Sequence, residues 1–127
     1  MNAHDLSHWD RCRPFIEAAL SFTGGTHTIE DIKRAVDANE MQFWPGQQSA
    51  VITEIQSYPQ AKGMHYFLAG GDLEELSRMR PILERWAQSI GCNRVTLAGR
   101  RGWLRTFLAD EGYKQKWTVM SKELNHE

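Results

Sequence analysis

Two short apolar runs, Met64–Ala69 and Arg94–Ala98, flank an amphipathic stretch that extends from about Asp72 to Ile90. Along that stretch Leu73, Leu76, Met79, Leu83, Trp86, Ala87 and Ile90 recur at helical spacing. Strand, helix and strand in this order form a crossover, which leaves the two strands parallel and is right-handed almost without exception. Gly91 suits the end of the helix, because glycine accepts the left-handed conformation there. Pro81 falls within the stretch and is expected to kink or restart it.

Upstream, the period changes. Met41–Trp44, Ala50–Ile55 and Met64–Ala69 read as strands, separated by the turn signals Pro45-Gly46 and Ser57-Tyr58-Pro59. Short links between strands argue for an antiparallel meander. Before it lie two helices. Trp9, Phe15, Ile16, Ala19 and Leu20 give the first an apolar face, with Pro14 either following a turn or opening the helix. Thr28 and Asp31 form an N-cap pair for the second, whose buried stripe is Ile29, Ile32, Ala35 and Val36 and whose terminator is Asn39. Downstream, Gly99 is a turn, Trp103 to Leu108 a short helix, and Tyr113 to Leu124 alternates as a final strand. The expected class is α+β, with a mixed sheet and helices on both faces.

Length and composition limit the partners. With 127 residues, 41% hydrophobic and 24% charged, the chain is expected to form one domain spanning 1–127. No apolar run approaches the ~18 residues of a membrane helix, and no secretion signal opens the chain, so a cytoplasmic protein is the expectation. A net charge of −1 indicates neither nucleic acid nor an anionic membrane as a partner. Cys12 and Cys92 are far apart and are expected to be free thiols.

The order of elements resembles that of the GNAT (acetyltransferase) superfamily. The likeness rests on Gly91-Cys92 before a strand, Gly99-Arg100-Arg101-Gly102-Trp103 after it and Gly112-Tyr113 opening the last strand. Trp44, Thr53-Glu54, Tyr58-Pro59 and Trp86-Ala87 add to it, and the chain looks most similar to small GNAT-like proteins of bacteriophages and prophages. Relative to the superfamily pattern the fold is trimmed at both ends: the usual first strand and a further last strand are not seen.

The resemblance implies acetyl-coenzyme A bound where two parallel strands splay apart, and an amine as acyl acceptor. The cofactor would then lie along Leu68, Ala69, Gly70, Gly71 and Leu73, its pyrophosphate held by N–H groups at the start of the following helix. Asp72, Glu74 and Glu75 repel a pyrophosphate there, and helix capping explains them without a ligand. Catalysis needs a base for the amine and an acid for the leaving thiolate. Glu54 is the candidate base, sharing a strand face with Ile52, and His65 is a second. The superfamily's usual acid is a tyrosine just before the glycine matched by Gly112, but Phe107–Glu111 holds none. Tyr113 and Tyr66 are the substitutes.

Two other constellations stand out. His4, His8 and Cys12 share a helical face but lack a fourth ligand, so no metal is assigned. Arg100, Arg101 and Arg105 surround Trp103, a possible binding surface or simply a solvated rim. Two functions are open at this level: an acetyl-coenzyme A-dependent N-acyltransferase, or a phage-type structural or interaction module that acts through the basic and aromatic surface or by self-association. The enzyme requires an open splay between the strands ending at Ala69 and Ala98, whereas the module would fill it with side chains such as Trp86 or Trp103.

Overall fold

A computed structural model describes residues 7–99, 103 and 106–124. Two helices, α1 (Trp9–Leu20) and α2 (Ile29–Asp37), lead into strands β1 (Gln42–Pro45), β2 (Ser49–Tyr58) and β3 (Ala61–Gly71). The long helix α3 (Leu73–Ser89), strand β4 (Arg94–Leu97) and one short helical segment, α4 (Phe107–Asp110), follow. Among the described residues the sheet has four strands in the order β1-β2-β3-β4. Its first two pairings are antiparallel and the β3–β4 pairing is parallel, the mixed sheet expected of a meander followed by a crossover.

Local chemistry sets the helix ends. Thr28 accepts from the Asp31 N–H at 3.2 Å while Asp31 accepts from the Thr28 N–H at 2.9 Å, a full capping box. Asn39, with φ of 61°, stops the chain just beyond α2, and Gly91, with φ of 92°, does so beyond α3. Pro14 and Pro81 both lie inside continuous helices. The expectation that Pro14 marks a helix start is corrected: α1 begins at Trp9, and its apolar face is buried firmly enough to outweigh the hydrogen bond a proline cannot make.

The sheet is covered on both sides, so its central strands bury both faces. Ile16, Ile32, Phe43, Ile52 and Leu68 form the core under α1 and α2. Trp44, Val51, Met64, Met79 and Leu83 form the core under α3. Neighbouring residues therefore diverge, Phe43 to one core and Trp44 to the other, as the two-residue period of a strand demands.

One expectation downstream is corrected and another is met in part. Of the helix expected from Trp103 to Leu108, Trp103 lies in a 3₁₀ turn and α4 opens at Phe107, where the Thr106 hydroxyl accepts from the Leu108 N–H at 3.4 Å; residues 104 and 105 lie outside the described residues. Residues 113–124 carry strand-like alternation but form no ladder with any described residue. A strand needs a partner edge as well as a pattern, and among the described residues the segment pairs with none.

Candidate functional site

The parallel pairing of β3 and β4 is brief: Gly63, Met64, His65 and Tyr66 face Arg94, Val95, Thr96 and Leu97, and there it ends. β3 continues to Gly71 with its β4-facing edge unpaired by any described residue. A bulge accompanies the divergence. Ile52 pairs with Leu68 but Thr53 with Tyr66, so Phe67 is an extra residue opposite β2. Phe67 and Leu68 both pack on the α1–α2 core, while Tyr66 and Ala69 pack under α3.

The splay opens into a cavity of about 620 Å³, within the range of small-molecule sites. One wall is the end of α1, through Ala18, Ala19 and Phe22; another is α3, through Leu76, Met79 and Leu83. The strand ends contribute Leu68, Ala69, Gly70 and Gly71 on one side and Leu97, Ala98 and Gly99 on the other. Leu73 lines it as well. The five residues expected along the cofactor are thus brought together around one slot. Trp86 does not fill it, since that ring stands edge-on to Trp44 in the α3 core at a centroid distance of 5.1 Å. Trp103 is part of the wall, packed against Gly99.

The two glycines, however, are accounted for by the protein itself. A Cβ on Gly70 would collide with the Phe15 carbonyl oxygen, and one on Gly71 with that of Gln48. Gly71 also has φ of 111°, a conformation that glycine adopts without strain. The Asp72 N–H donates to the Gln48 carbonyl at 2.9 Å, and the Asp72 side chain accepts from the Glu75 N–H at 3.0 Å. Glu75 does more than complement the helix dipole. Its carboxylate accepts from Gln47 N–H at 3.1 Å, from Gln48 N–H at 3.0 Å and from the Ser49 hydroxyl, tying the β1–β2 turn to α3. Burial pushes its pKa up, but those donors outweigh it and hold the carboxyl below the ordinary range.

Glu54 and His65 face one another across the β2–β3 ladder, and His65 pairs in turn with Thr96 of β4. Nδ1 of His65 lies 2.8 Å from Thr96 Oγ1, which fixes the ring. Burial lowers the imidazole pKa, and the Glu54 carboxylate pulls against that shift. Neither side chain lines the cavity; His65 lies two residues before Phe67, which does. Glu54 shares the face of Ile52, as its spacing predicts.

Tyr113 is held elsewhere. Its hydroxyl donates to Glu84 Oε2 at 2.5 Å, while Arg80 pairs with Glu84 at 2.9 Å and with Glu111 at 3.0 Å. Arg80 lines the cavity and is only 14% exposed. This cluster straps the segment after α4 onto α3 and so holds Leu108 in the cavity wall. Tyr66, also in the wall, has a buried hydroxyl with no hydrogen-bond partner among the described residues. Burial and the nearby Glu84 charge raise the pKa of Tyr66; burial, Tyr66 and Glu84 raise that of Tyr113, and both stay protonated. Sequence reading missed the strap, although the four-residue spacing of Arg80 and Glu84 was its visible signal.

Arg100, Arg101 and Arg105 lie outside the described residues, as does His4. Of the suggested ligand set, His8 meets Arg11 at 2.8 Å, whereas Cys12 is buried with Sγ near the carbonyls of Gly46 and Ser49. Among the described residues no cluster of histidine, cysteine and carboxylates could hold a metal, and no helix is long and apolar enough to cross a membrane.

No protein-family model and no curated protein matches the chain. Solved structures do. An aminoglycoside acetyltransferase, meta-AAC0020, from an uncultured soil metagenomic sample superposes with a TM-score of 0.68 at 9% identity, covering 100% of this chain and 93% of its own. A structure described as a probable acetyltransferase gives 0.72 at 8% identity over 96% of this chain and 95% of its own. The protein TTHA1254 from Thermus thermophilus gives 0.65 at 14% identity, with 97% and 95% covered. None of these comparisons supports a bacteriophage or prophage origin. At such identities the likeness speaks for architecture, and the architecture is the GNAT-like acetyltransferase fold.

Proposed function

We propose that the chain is an N-acyltransferase that takes its acyl group from acetyl-coenzyme A and passes it to an amine. The observation that carries this reading is the open cavity at the β3–β4 splay, bounded by small residues at both strand ends. A slot lined by Ala69, Gly70, Ala98 and Gly99 admits a narrow, mostly apolar chain such as a pantetheine arm. The unpaired edge of β3 from Phe67 onward supplies backbone donors and acceptors for its amides. At the phosphate end the fit rests on fewer groups, because the Asp72 N–H is already used. The sequence places Arg100 and Arg101 directly after Gly99, and we assign the pyrophosphate charge to them and to Arg105.

Acetyl-coenzyme A, when bound, supplies the activated acyl group. The protein's own task is to manage protons around it. His65 is the proposed base, neutral near pH 7 because burial holds its pKa below the usual value of about 6.5. Because the ring does not line the cavity, a bridging water would carry the amine's proton to its Nε2, while Nδ1 is held at Thr96 Oγ1. Glu54, its cross-strand neighbour, stabilises the resulting imidazolium. Tyr66, protonated and in the cavity wall, is the proposed acid, with the Tyr113 hydroxyl beside it. Activity should rise with pH through the His65 pKa, then level off.

Thermal unfolding with acetyl-coenzyme A is the test. Binding to the folded state alone adds about 2.7 kcal/mol at a hundredfold excess over the dissociation constant. Ala98→Trp, which fills the slot, should abolish the shift; His65→Asn should keep the shift and lose turnover with amine acceptors. No shift at millimolar cofactor would overturn the proposal.

A further inference from the structure

The cavity has two ends, and proton chemistry assigns them. Tyr66 stands at the α3 end, with Met79 and Leu83. His65 and Glu54 lie on the other side of the sheet, the side of Ile52 and Phe67, which pack on the α1–α2 core. A base serves the acceptor, so the amine belongs at the α1 end. There Ala18 and Ala19 of α1, with Phe22 and Thr23 just beyond it, meet Phe67 of β3.

That end suits an apolar body. Ala18 and Ala19 make a low shelf, bordered by the rings of Phe22 and Phe67. Phe22 lines the cavity and is nevertheless 62% exposed, so it stands at the rim. Phe67 is braced edge-on against His27 at a centroid distance of 4.8 Å. The polar groups nearby are engaged within the protein: the Thr23 hydroxyl donates to the Leu20 carbonyl at 2.8 Å, and Thr26 Oγ1 lies 2.7 Å from Nδ1 of His27. Charge points the same way. Among the described residues that line the cavity there is no carboxylate, and the charge of Arg80 is matched by Glu84 and Glu111. A ligand with several ammonium groups would leave its extra charges without counter-ions in an apolar slot. One rich in hydroxyls would leave them without partners.

We propose that the acyl acceptor is a primary amine carried on an aromatic ring, with no second charge, its ring seated between Phe22 and Phe67 over the Ala18–Ala19 shelf. This rests on the acyltransferase reading and names the acceptor for it. The ligand ring meets the two phenylalanines edge-on or offset, the arrangements that aromatic pairs favour. Its nitrogen reaches toward the splay and binds uncharged, because an apolar wall without a carboxylate disfavours the ammonium form. The amine is thereby already in its reactive state. Its nitrogen forms the new C–N bond as the C–S bond of the donor breaks; the amine's proton leaves through the bridging water to His65, and the departing thiolate takes one from Tyr66.

The experiment is calorimetric titration of the full chain, saturated with coenzyme A, which has no acyl group to give. The probes are 2-phenylethylamine, spermidine and the aminoglycoside kanamycin. Phenylethylamine should bind about a hundredfold more tightly than either polycation, and kcat/KM with acetyl-coenzyme A should follow the same order. Phe22→Ala should weaken phenylethylamine about tenfold and spermidine less than about threefold, with the circular dichroism unchanged because the ring is largely exposed. Phe22→Asp, which supplies a carboxylate, should strengthen spermidine. A polycation bound as tightly as phenylethylamine overturns the inference, as does no binding of phenylethylamine or an equal loss for every amine in Phe22→Ala. In each of those cases a thermal shift with acetyl-coenzyme A leaves the acyltransferase reading standing, whereas no shift overturns both.

Discussion

Thr53 sits at the centre of a buried polar chain. Its hydroxyl donates to Gln42 Oε1 at 2.8 Å and accepts from Trp44 Nε1 at 2.9 Å. Thr53 is 0% exposed, Trp44 2% and Gln42 6%, so water cannot replace a lost partner. Thr53→Val keeps the shape and leaves no cavity, but it strips a donor from Gln42 and an acceptor from the indole. Each buried orphan costs about 1–3 kcal/mol. If Gln42 swings to meet the indole directly, one of the two is recovered. The expected loss is therefore about 2–4 kcal/mol, a large part of the ~5–15 kcal/mol that holds a domain of this kind together. Thr53→Ser retains the hydroxyl and gives up a methyl, at about 1 kcal/mol. Urea titrations of the three proteins decide it. The diagnostic is the order, with valine below serine although valine is the more apolar; valine equal to or above serine refutes the reasoning. The same residue pairs with Tyr66 beside the bulge, so a misplaced Thr53 also disturbs the start of the splay.

Other outcomes are equally specific. Glu75→Ala frees the Gln47 and Gln48 amides and should lower stability by about 1–2 kcal/mol, read from the urea midpoint, while Glu75→Gln recovers part of it. Asp31 and Glu75 both have pKa values held low, Asp31 chiefly by the Thr28 N–H. Their stabilising effect is full above the unfolded value of about 4 and is lost as pH falls through the lower folded value, so the urea midpoint should drop in acid and less so for Asp31→Asn. Arg80→Met releases Glu84 and Glu111 and should cost roughly 1–3 kcal/mol, with faster amide exchange in residues 107–113 than elsewhere.

The fold was legible wherever one residue period dominated. The crossover, the meander and the capping box at Thr28 could all be read, because periodicity and caps act over a few residues. What could not be read depended on distant partners. Nothing local says that Gly70 is pressed against Phe15, or that Glu75 reaches back to the β1–β2 turn. The strand pattern of residues 113–124 was real, but pairing is a relation between two segments and a pattern describes only one. Of the site, the sequence singled out Leu68, Ala69, Gly70, Gly71 and Leu73, which lie together along the cavity, whereas Tyr113 was drawn away by a carboxylate on α3 that spacing alone could not connect to it.

Gly70 has a bearing on how saturation mutagenesis of this chain would be interpreted. Any side chain there collides with a backbone atom of α1, which cannot swing aside as a flexible side chain could. A selection for folding alone, with no substrate present, would therefore return glycine at that position as strictly as a selection for activity. Intolerance at 70 and 71 is thus no signature of a bound nucleotide. Positions such as Ala69 and Ala98, where the wall faces open space, are where the two selections should part company.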